Sequence, residues 1–334
     1  MHLVVPRRTA AYIRDDIGAD VRLEPFERPT PIGLNVPTWY RMCREVVARI
    51  RAVHPDVVHL QQGDPVFNLA LRWLRRYPLV VTVHEPSLRG RPRRGRVRFP
   101  HWMLTRAFRR GDRLIVYSEY ARAELEHLGL PAARIHLTSR PRPVFESARG
   151  GEQATEPKVL FFGRIWPYKG LEYLIQAEPR VSAEIPDVKF VIAGAGESLE
   201  RYRPLVRNPE RFEVRNYEVS KHERDALFAQ ASVVVLPYVD AYSSAVVPIA
   251  YLNRKPVIAA SVGGLPEAVE DGRTGLLVEP RDPAALAAAL VRLLSDERLR
   301  RELGDAGRRR LDAESAPELV ARATLDVYRL AIGR

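Results

Sequence analysis

Cysteine is nearly missing from this 334-residue chain. Cys43 stands alone, which excludes a disulfide framework and a cysteine metal cluster; on a helical pattern it reads as a small buried residue. Lysine is scarce too: of 53 Lys plus Arg only five are lysine, at 158, 169, 189, 221 and 255. A lysine kept beside an arginine in such a chain therefore stands out. Long apolar runs are lacking, because arginine interrupts every candidate, and no stretch is long enough to span a bilayer. The start lacks the charged, then apolar, then small-residue order of a signal peptide. A soluble, cytoplasmic protein is the expectation. There is no repeat of solenoid length and no low-complexity tract.

What is abundant is positive charge, and it is one-sided. The net charge is +12. Residues 1–148 carry 26 Arg against 14 acids, while 149–334 carry 27 basic against 27 acidic residues, so the whole excess lies in the first half. Such a half faces something anionic: nucleic acid, a membrane surface or a phosphorylated substrate. With 46% hydrophobic residues over this length, two domains with sizeable buried sheets are expected.

Short apolar runs read as strands at Leu3–Pro6, Val21–Phe26, Asp56–Leu60, Leu79–His84, Arg113–Ser118 and Ile135–Leu137. Helical spacing falls between them at Thr38–Val53, Leu69–Leu74, Pro100–Arg110 and Glu119–Leu128. Ser147–Pro157 is polar and weakly patterned, a linker. A second series follows: Val159–Phe162, Lys189–Ala193, Phe212–Val214, Val233–Leu236, Val257–Ala259 and Leu276–Val278. Helices are predicted at Pro283–Leu294, Leu299–Leu311 and Ala316–Ile332. Alternating strands and helices predict an α/β chain of two parallel, doubly wound domains, 1–148 and 149–315, with a final helix over 316–334. Ligands of such sheets sit beyond the carboxyl ends of the strands, which points to the cleft between the domains.

The stretch Val159-Leu-Phe-Phe-Gly-Arg-Ile-Trp-Pro-Tyr-Lys-Gly170 reads as strand, glycine turn, loop and helix start. Bare amides, a helix dipole, the Arg164 fork and the Lys169 point charge together suit a diphosphate. The same pattern fits a plain turn with solvated cations. Ile192-Ala-Gly-Ala-Gly-Glu197 brings a second glycine turn one strand away, with Gly194 and Gly196. Arg215 to Glu218 follow a strand end and either flank a base or form an ordinary loop. Ser243 and Ser244 can cap the helix that follows them and leave amides free for phosphate or sugar oxygens.

In order, Gly-Arg-x4-Lys-Gly, Ala-Gly-x-Gly-Glu, Val-Val-Val-Leu-Pro-Tyr, Pro-Val-Ile-Ala-x2-Val-Gly-Gly-Leu-Pro-Glu and Asp-Gly-x-Thr-Gly-Leu-Leu-Val cover residues 158–280 densely. This series resembles the GT-B glycosyltransferases of family 4. His54-Pro-Asp-Val-Val-His59, Thr82-Val-His84 and Val116-Tyr-Ser118 extend the resemblance loosely. It implies two tandem Rossmann-like domains in the GT-B arrangement, the second holding a sugar nucleotide and the first an acceptor, with the last helix crossing back. It further implies retaining, metal-independent transfer without a cofactor. Carried over by position, Arg164 and Lys169 grip the donor diphosphate, and Gly163 and Gly194 allow close backbone approach beside Gly196. Arg215 and Tyr217 flank the base, and the amides of Ser243, Ser244 and Ala245 meet phosphates or sugar. His84 faces the donor sugar; a satisfied strand-end histidine is the other reading of it.

Two departures stand against that pattern. The family's paired Glu positions hold Ala241 and Ile249, which puts the ribose contact in question and keeps open a non-catalytic sugar-nucleotide or polyanion-binding protein with a degenerate site. The chain also starts on what resemble the family's second and third strands, so the first βα unit, roughly 30 residues, is expected to be absent. Between Glu85 and Asp112 there is no acid, and Arg91, Arg93, Arg94, Arg96 and Arg98 run up to Trp102. This fits an anionic membrane surface or a lipid-linked diphosphate acceptor at the inner membrane face, and equally a solvated loop. No nucleic-acid motif accompanies the charge, so no nucleic-acid partner is expected.

Overall fold

In the computed structural model, residues 1–28, 36–62, 67–87, 101–142 and 156–333 are described. The arginines at 91, 93, 94, 96 and 98 and most of the 147–157 linker lie outside them.

Among the described residues twelve strands form where the apolar runs predict them. In the first half they are β1 (His2–Pro6), β2 (Arg22–Phe26), β3 (Val58–Gln61), β4 (Leu79–Thr82), β5 (Arg113–Val116) and β6 (Ile135–Leu137). In the second they are β7 (Lys158–Phe162), β8 (Lys189–Ala193), β9 (Phe212–Arg215), β10 (Val233–Leu236), β11 (Val257–Ala260) and β12 (Gly275–Val278). All pairings are parallel. One sheet runs β3-β4-β5-β6, the other β12-β11-β10-β7-β8-β9, and β1 pairs with β2 in a two-stranded ribbon. Val4 and Phe26 of that ribbon pack on the first core.

The helices are α1 (Arg7–Ile13), α2 (Val36–Val53), α3 (Phe67–Ala70), α4 (His101–Arg110), α5 (Glu119–His127), α6 (Leu171–Glu184), α7 (Lys221–Gln230), α8 (Val246–Leu252), α9 (Leu265–Ala268), α10 (Pro283–Ser295), α11 (Glu297–Glu314) and α12 (Pro317–Gly333). Two differ from the pattern. α1 carries no apolar periodicity and buries Ala10 alone, so it left no signal. The helix predicted at Leu69–Leu74 is instead a single turn, α3, tightening into a 3-10 turn at Leu71–Leu74. Cys43 is buried within α2.

The helix faces follow from spacing. Trp39, Met42, Cys43, Val46 and Val47 place one stripe of α2 on the first sheet. The second sheet is covered on both faces, which is why Val159–Phe161 and Val233–Leu236 read as unbroken apolar runs. The final helix α12 leaves the second unit and sets Val327 and Ala331 on Val80 and Ile115 of β4 and β5. Burying Val327 alone contributes about 1.5–3 kcal/mol.

The strand order positions the site. From β7 the chain runs to β8 and β9 on one side, then returns to place β10, β11 and β12 on the other. The loops leaving β7 and β10 therefore diverge at a topological switch point, where an open α/β sheet leaves a crevice.

Candidate active site in the interdomain cleft

The loop after β7 turns at Gly163, whose φ is +117°, and a side chain built there would meet only Val246, at 3.9 Å. The backbone beside the crevice is thus bare. Gly194 and Gly196 do something different: a Cβ at Gly194 would stand 2.1 Å from the Gly163 carbonyl oxygen, and one at Gly196 2.2 Å from that of Ile165. Their smallness lets the β7 and β8 exits lie backbone to backbone.

Beyond Gly163, the exposed Arg164 guanidinium lies 4.2 Å from the Trp166 ring centroid. Lys169, at the end of a 3-10 turn, points its ammonium at Tyr238 from the β10 loop, 3.7 Å from the ring centroid. The Val239 amide donates to the Tyr168 carbonyl at 2.9 Å, joining the two loops. Burial pulls the Lys169 pKa down to about 8; the field of Arg164 and Arg140 acts the same way, and Tyr168 and Glu85 oppose it. Charges from both halves of the chain therefore converge on this amine.

The β10 loop leads to Ser243, Ser244 and Ala245. Ser244 Oγ accepts the Val246 amide at 3.2 Å. Ser243 does not cap α8 as the sequence suggested; its Oγ accepts from Arg140 at 2.6 Å, because an arginine from the first half reaches it. Ala245 is the residue that precedes α8. Ala241 and Ile249, where the family pattern has its Glu pair, are both buried apolar residues.

At the β9 end, Arg215 is bound up with Glu213 and, at 2.8 Å, with Glu223. Tyr217 is half exposed and donates to the same Glu223 at 2.5 Å. These two form a structured wall whose cation is already neutralised. Across from it Lys221 reaches Asp16 at 2.6 Å and the Tyr12 ring at 4.7 Å, and Arg8 pairs with Glu218.

His84 stands two residues beyond β4. Its amide donates to Gln62 Oε1 at 2.7 Å, its Nε2 lies 3.1 Å from Gln61 Oε1, and its ring is 5.7 Å from that of Tyr117. Burial first, then the nearby Arg140, lowers its pKa to about 4, so the imidazole is neutral at pH 7. Behind it, His59 bonds Thr82 Oγ1 and the Tyr328 hydroxyl of α12, each at 2.7 Å.

Sequence reasoning missed Arg140, Tyr117, Tyr238 and Tyr242. Arg140 stacks on Tyr117, 4.5 Å to the ring centroid. The Tyr242 hydroxyl meets Ser87 at 2.6 Å, and its carbonyl accepts from Ser118 at 2.7 Å. All four lie one to six residues past strand ends, which is the positional signal that could have found them. Trp102 opens α4 with 55% of its surface exposed. Among the described residues no His, Cys, Asp and Glu side chains gather as a metal site, and no helix is long and apolar enough to cross a membrane.

Comparison with known proteins shows the family and the fold. A family profile described as Glycosyltransferase Family 4 matches residues 1–141, and one described as Glycosyl transferases group 1 matches 156–296. The alpha-D-kanosaminyltransferase of Streptomyces kanamyceticus is 30% identical over 284 residues, 79% of this chain and 72% of that one. The chain spans less than half of several other curated relatives. Among solved structures, sucrose-phosphate synthase from Thermosynechococcus elongatus superposes with a TM-score of 0.74 at 23% identity, over 95% of this chain and 85% of that one. Anabaena Alr3699/HepE, solved in complex with UDP-glucose, gives 0.71 at 17% identity, over 94% and 86%.

Proposed function

The chain belongs to the family 4, group 1 glycosyltransferases, and from that premise we propose that it transfers a sugar from a nucleotide-diphosphate donor to a glycan or lipid-linked acceptor. The observation that carries this reading is Lys169, a half-buried amine held over Tyr238 at the switch point with Arg164 beside it and bare backbone at Gly163. The leaving group is a nucleoside diphosphate, so what accelerates the reaction is stabilisation of charge that grows on phosphate oxygens. Lys169 and Arg164 supply that, with the amides of Ser243, Ser244 and Ala245 as further donors. No metal or cofactor is part of the proposal. The neutral His84 serves as a hydrogen-bond partner for a sugar hydroxyl without adding charge. Retention at the anomeric carbon rests on family membership.

The experiment is donor hydrolysis. The protein is incubated with a panel of sugar nucleotides, and released nucleoside diphosphate is measured beside Lys169→Ala. Turnover of one donor, lost in the variant, supports the proposal, and NMR of the product's anomeric proton checks retention. The buried Ala241 and Ile249 favour a second reading, binding without transfer; tight donor affinity with no hydrolysis and no product would select it.

The acceptor side is read as an anionic membrane face on the cytoplasmic side. The exposed Trp102 near the start of α4 is the described residue that supports it. Flotation with liposomes decides it: equal binding to neutral and anionic vesicles would discard the electrostatic part.

A further inference from the structure

His84 is held from the neighbouring strand. β4 ends at Thr82, and the Val83 amide makes one more bond, to the Ile115 carbonyl of β5 at 2.8 Å. The next two amides are received by a side chain instead of a strand. Gln62, which follows β3 directly, accepts the His84 and Glu85 amides on Oε1, each at 2.7 Å. Its Nε2 donates to the Glu85 carbonyl, again at 2.7 Å. Its own amide donates to the Thr82 carbonyl at 2.9 Å.

These bonds are made from a strained backbone. Gln62 has a φ of +46°, a region that is costly for any residue with a Cβ. Such a residue persists where its surroundings over-determine it. A turn by itself asks for glycine or asparagine there. The chain instead keeps a long side chain whose tip carries both a twofold acceptor and an NH2 donor. Glutamate cannot donate when ionised, and asparagine is one methylene short. The preceding residue adds a second hold. Gln61 sets its Oε1 3.1 Å from His84 Nε2, so that nitrogen carries the proton and Nδ1 keeps its lone pair. The same loop fixes Glu85, whose charge favours the protonated Lys169.

We propose that Gln62 is a positioning residue for the transfer: it holds the backbone of His84 and Glu85 so that the imidazole presents Nδ1 to a hydroxyl of the donor sugar. Gln62 itself touches neither donor nor acceptor. The proposal rests on the transferase reading given above and on the place of His84 in it.

The test reads the imidazole and the turnover side by side, on the full chain. The first arm is NMR of isotope-labelled histidine rings at neutral pH, with His84→Gln identifying the signals. In the wild type His84 is expected as the Nε2–H tautomer alone. Gln62→Gly suits the φ of +46° and deletes the grip; there the two tautomers are expected to average. Gln62→Glu keeps an acceptor for both amides, so it tests the idea should the glycine variant not fold. It is expected to keep the single tautomer while the ring titrates at higher pH, beside a new negative charge. The groups that face the ring, Arg140, Glu85, His59 and Tyr117, are the same in every variant. The second arm is donor hydrolysis. Gln62→Gly is expected to lower kcat tenfold or more with the donor KM within threefold. In a His84→Ala background the same change is expected to lower kcat no further than twofold, whereas a merely structural role would cut both backgrounds alike. A His84 tautomer that stays single in Gln62→Gly overturns the proposal. So does an equal kcat loss in the two backgrounds, or a loss confined to KM. A His84→Ala protein with the wild-type kcat also overturns it and leaves the transferase reading standing. If the wild type turns over no donor, the transferase reading fails, and the NMR arm still decides the grip of Gln62 on His84.

Discussion

Lys169 and Tyr238 follow different strands, β7 and β10, yet the ammonium of one lies 3.7 Å from the ring centre of the other. The contact spans the switch point of the second sheet. It fixes a cation where the chain leaves two strands that diverge, and it does so with a π face, which leaves the amine's protons free for oxygen atoms.

That amine titrates near pH 8 rather than at its ordinary 10.5, chiefly through burial. A diphosphate favours the charged form, so binding of the donor's nucleoside diphosphate between about pH 8 and 9 takes up protons, and affinity falls as pH rises past 8. Calorimetry in buffers of different ionisation enthalpy reads the uptake directly. Lys169→Met is expected to lose the uptake together with about tenfold or more in affinity for the nucleoside diphosphate, since a hydrogen bond to a charged group contributes roughly 1.5–3 kcal/mol. Uptake unchanged in the variant would remove Lys169 from the site.

The glycine turns make a different prediction. At Gly194 a methyl group meets the Gly163 carbonyl at 2.1 Å on a backbone at φ +138°, so Gly194→Ala forces β7 and β8 exits apart. At Gly163 the φ is also positive, but the space is open. Gly194→Ala should therefore lower Tm more than Gly163→Ala, while Gly163→Ala places its methyl in the crevice and weakens binding of the nucleoside diphosphate. The backbone conformation itself costs on the order of 1–3 kcal/mol in either variant. A Gly163→Ala protein that binds the nucleoside diphosphate as the parent does would show that the ligand does not approach that turn.

How much of this was legible follows from the period of the apolar residues. Strands β7, β8, β10 and β11 are buried on both faces, so runs such as Val233–Leu236 announce themselves without any partner in view. Lys169 was legible because so few lysines exist. Arg140 was not: it is one arginine among many, and only the arrival of Ser243 and Tyr117 from distant segments turns it into a buried charge. Ser243 was misread for the same reason, since a local rule assigned its oxygen to α8 before a residue 103 positions away could claim it. α1 was invisible because a short helix with one buried residue has no periodicity to read.

Acid should loosen the first half. His59 and His84 have an ordinary value of 6.5, and burial lowers both to about 4. The folded state holds them neutral while the unfolded chain binds protons from 6.5 downward. Their contribution is complete above about pH 6.5 and is lost as pH falls toward 4. Calorimetric Tm against pH should drop through that window, and His59→Gln should flatten the drop. Equal slopes in the two proteins would rule out His59 as a source.

The last helix should owe part of its hold to one hydroxyl. Val327 and Ala331 anchor α12 by burial, but its orientation on β4 is set where Tyr328 meets His59 Nδ1 at 2.7 Å, with the rings edge-on at 5.5 Å. Tyr328→Phe keeps the ring and deletes the bond, leaving a half-buried imidazole nitrogen unpaired, at a cost of about 1 kcal/mol. Denaturant unfolding should show that loss at pH 7. In a double-mutant cycle with His59→Leu the two changes should be coupled by a similar amount, because the nitrogen left unpaired in the single variant no longer exists in the double one. Strict additivity would mean that α12 is held by its apolar face alone.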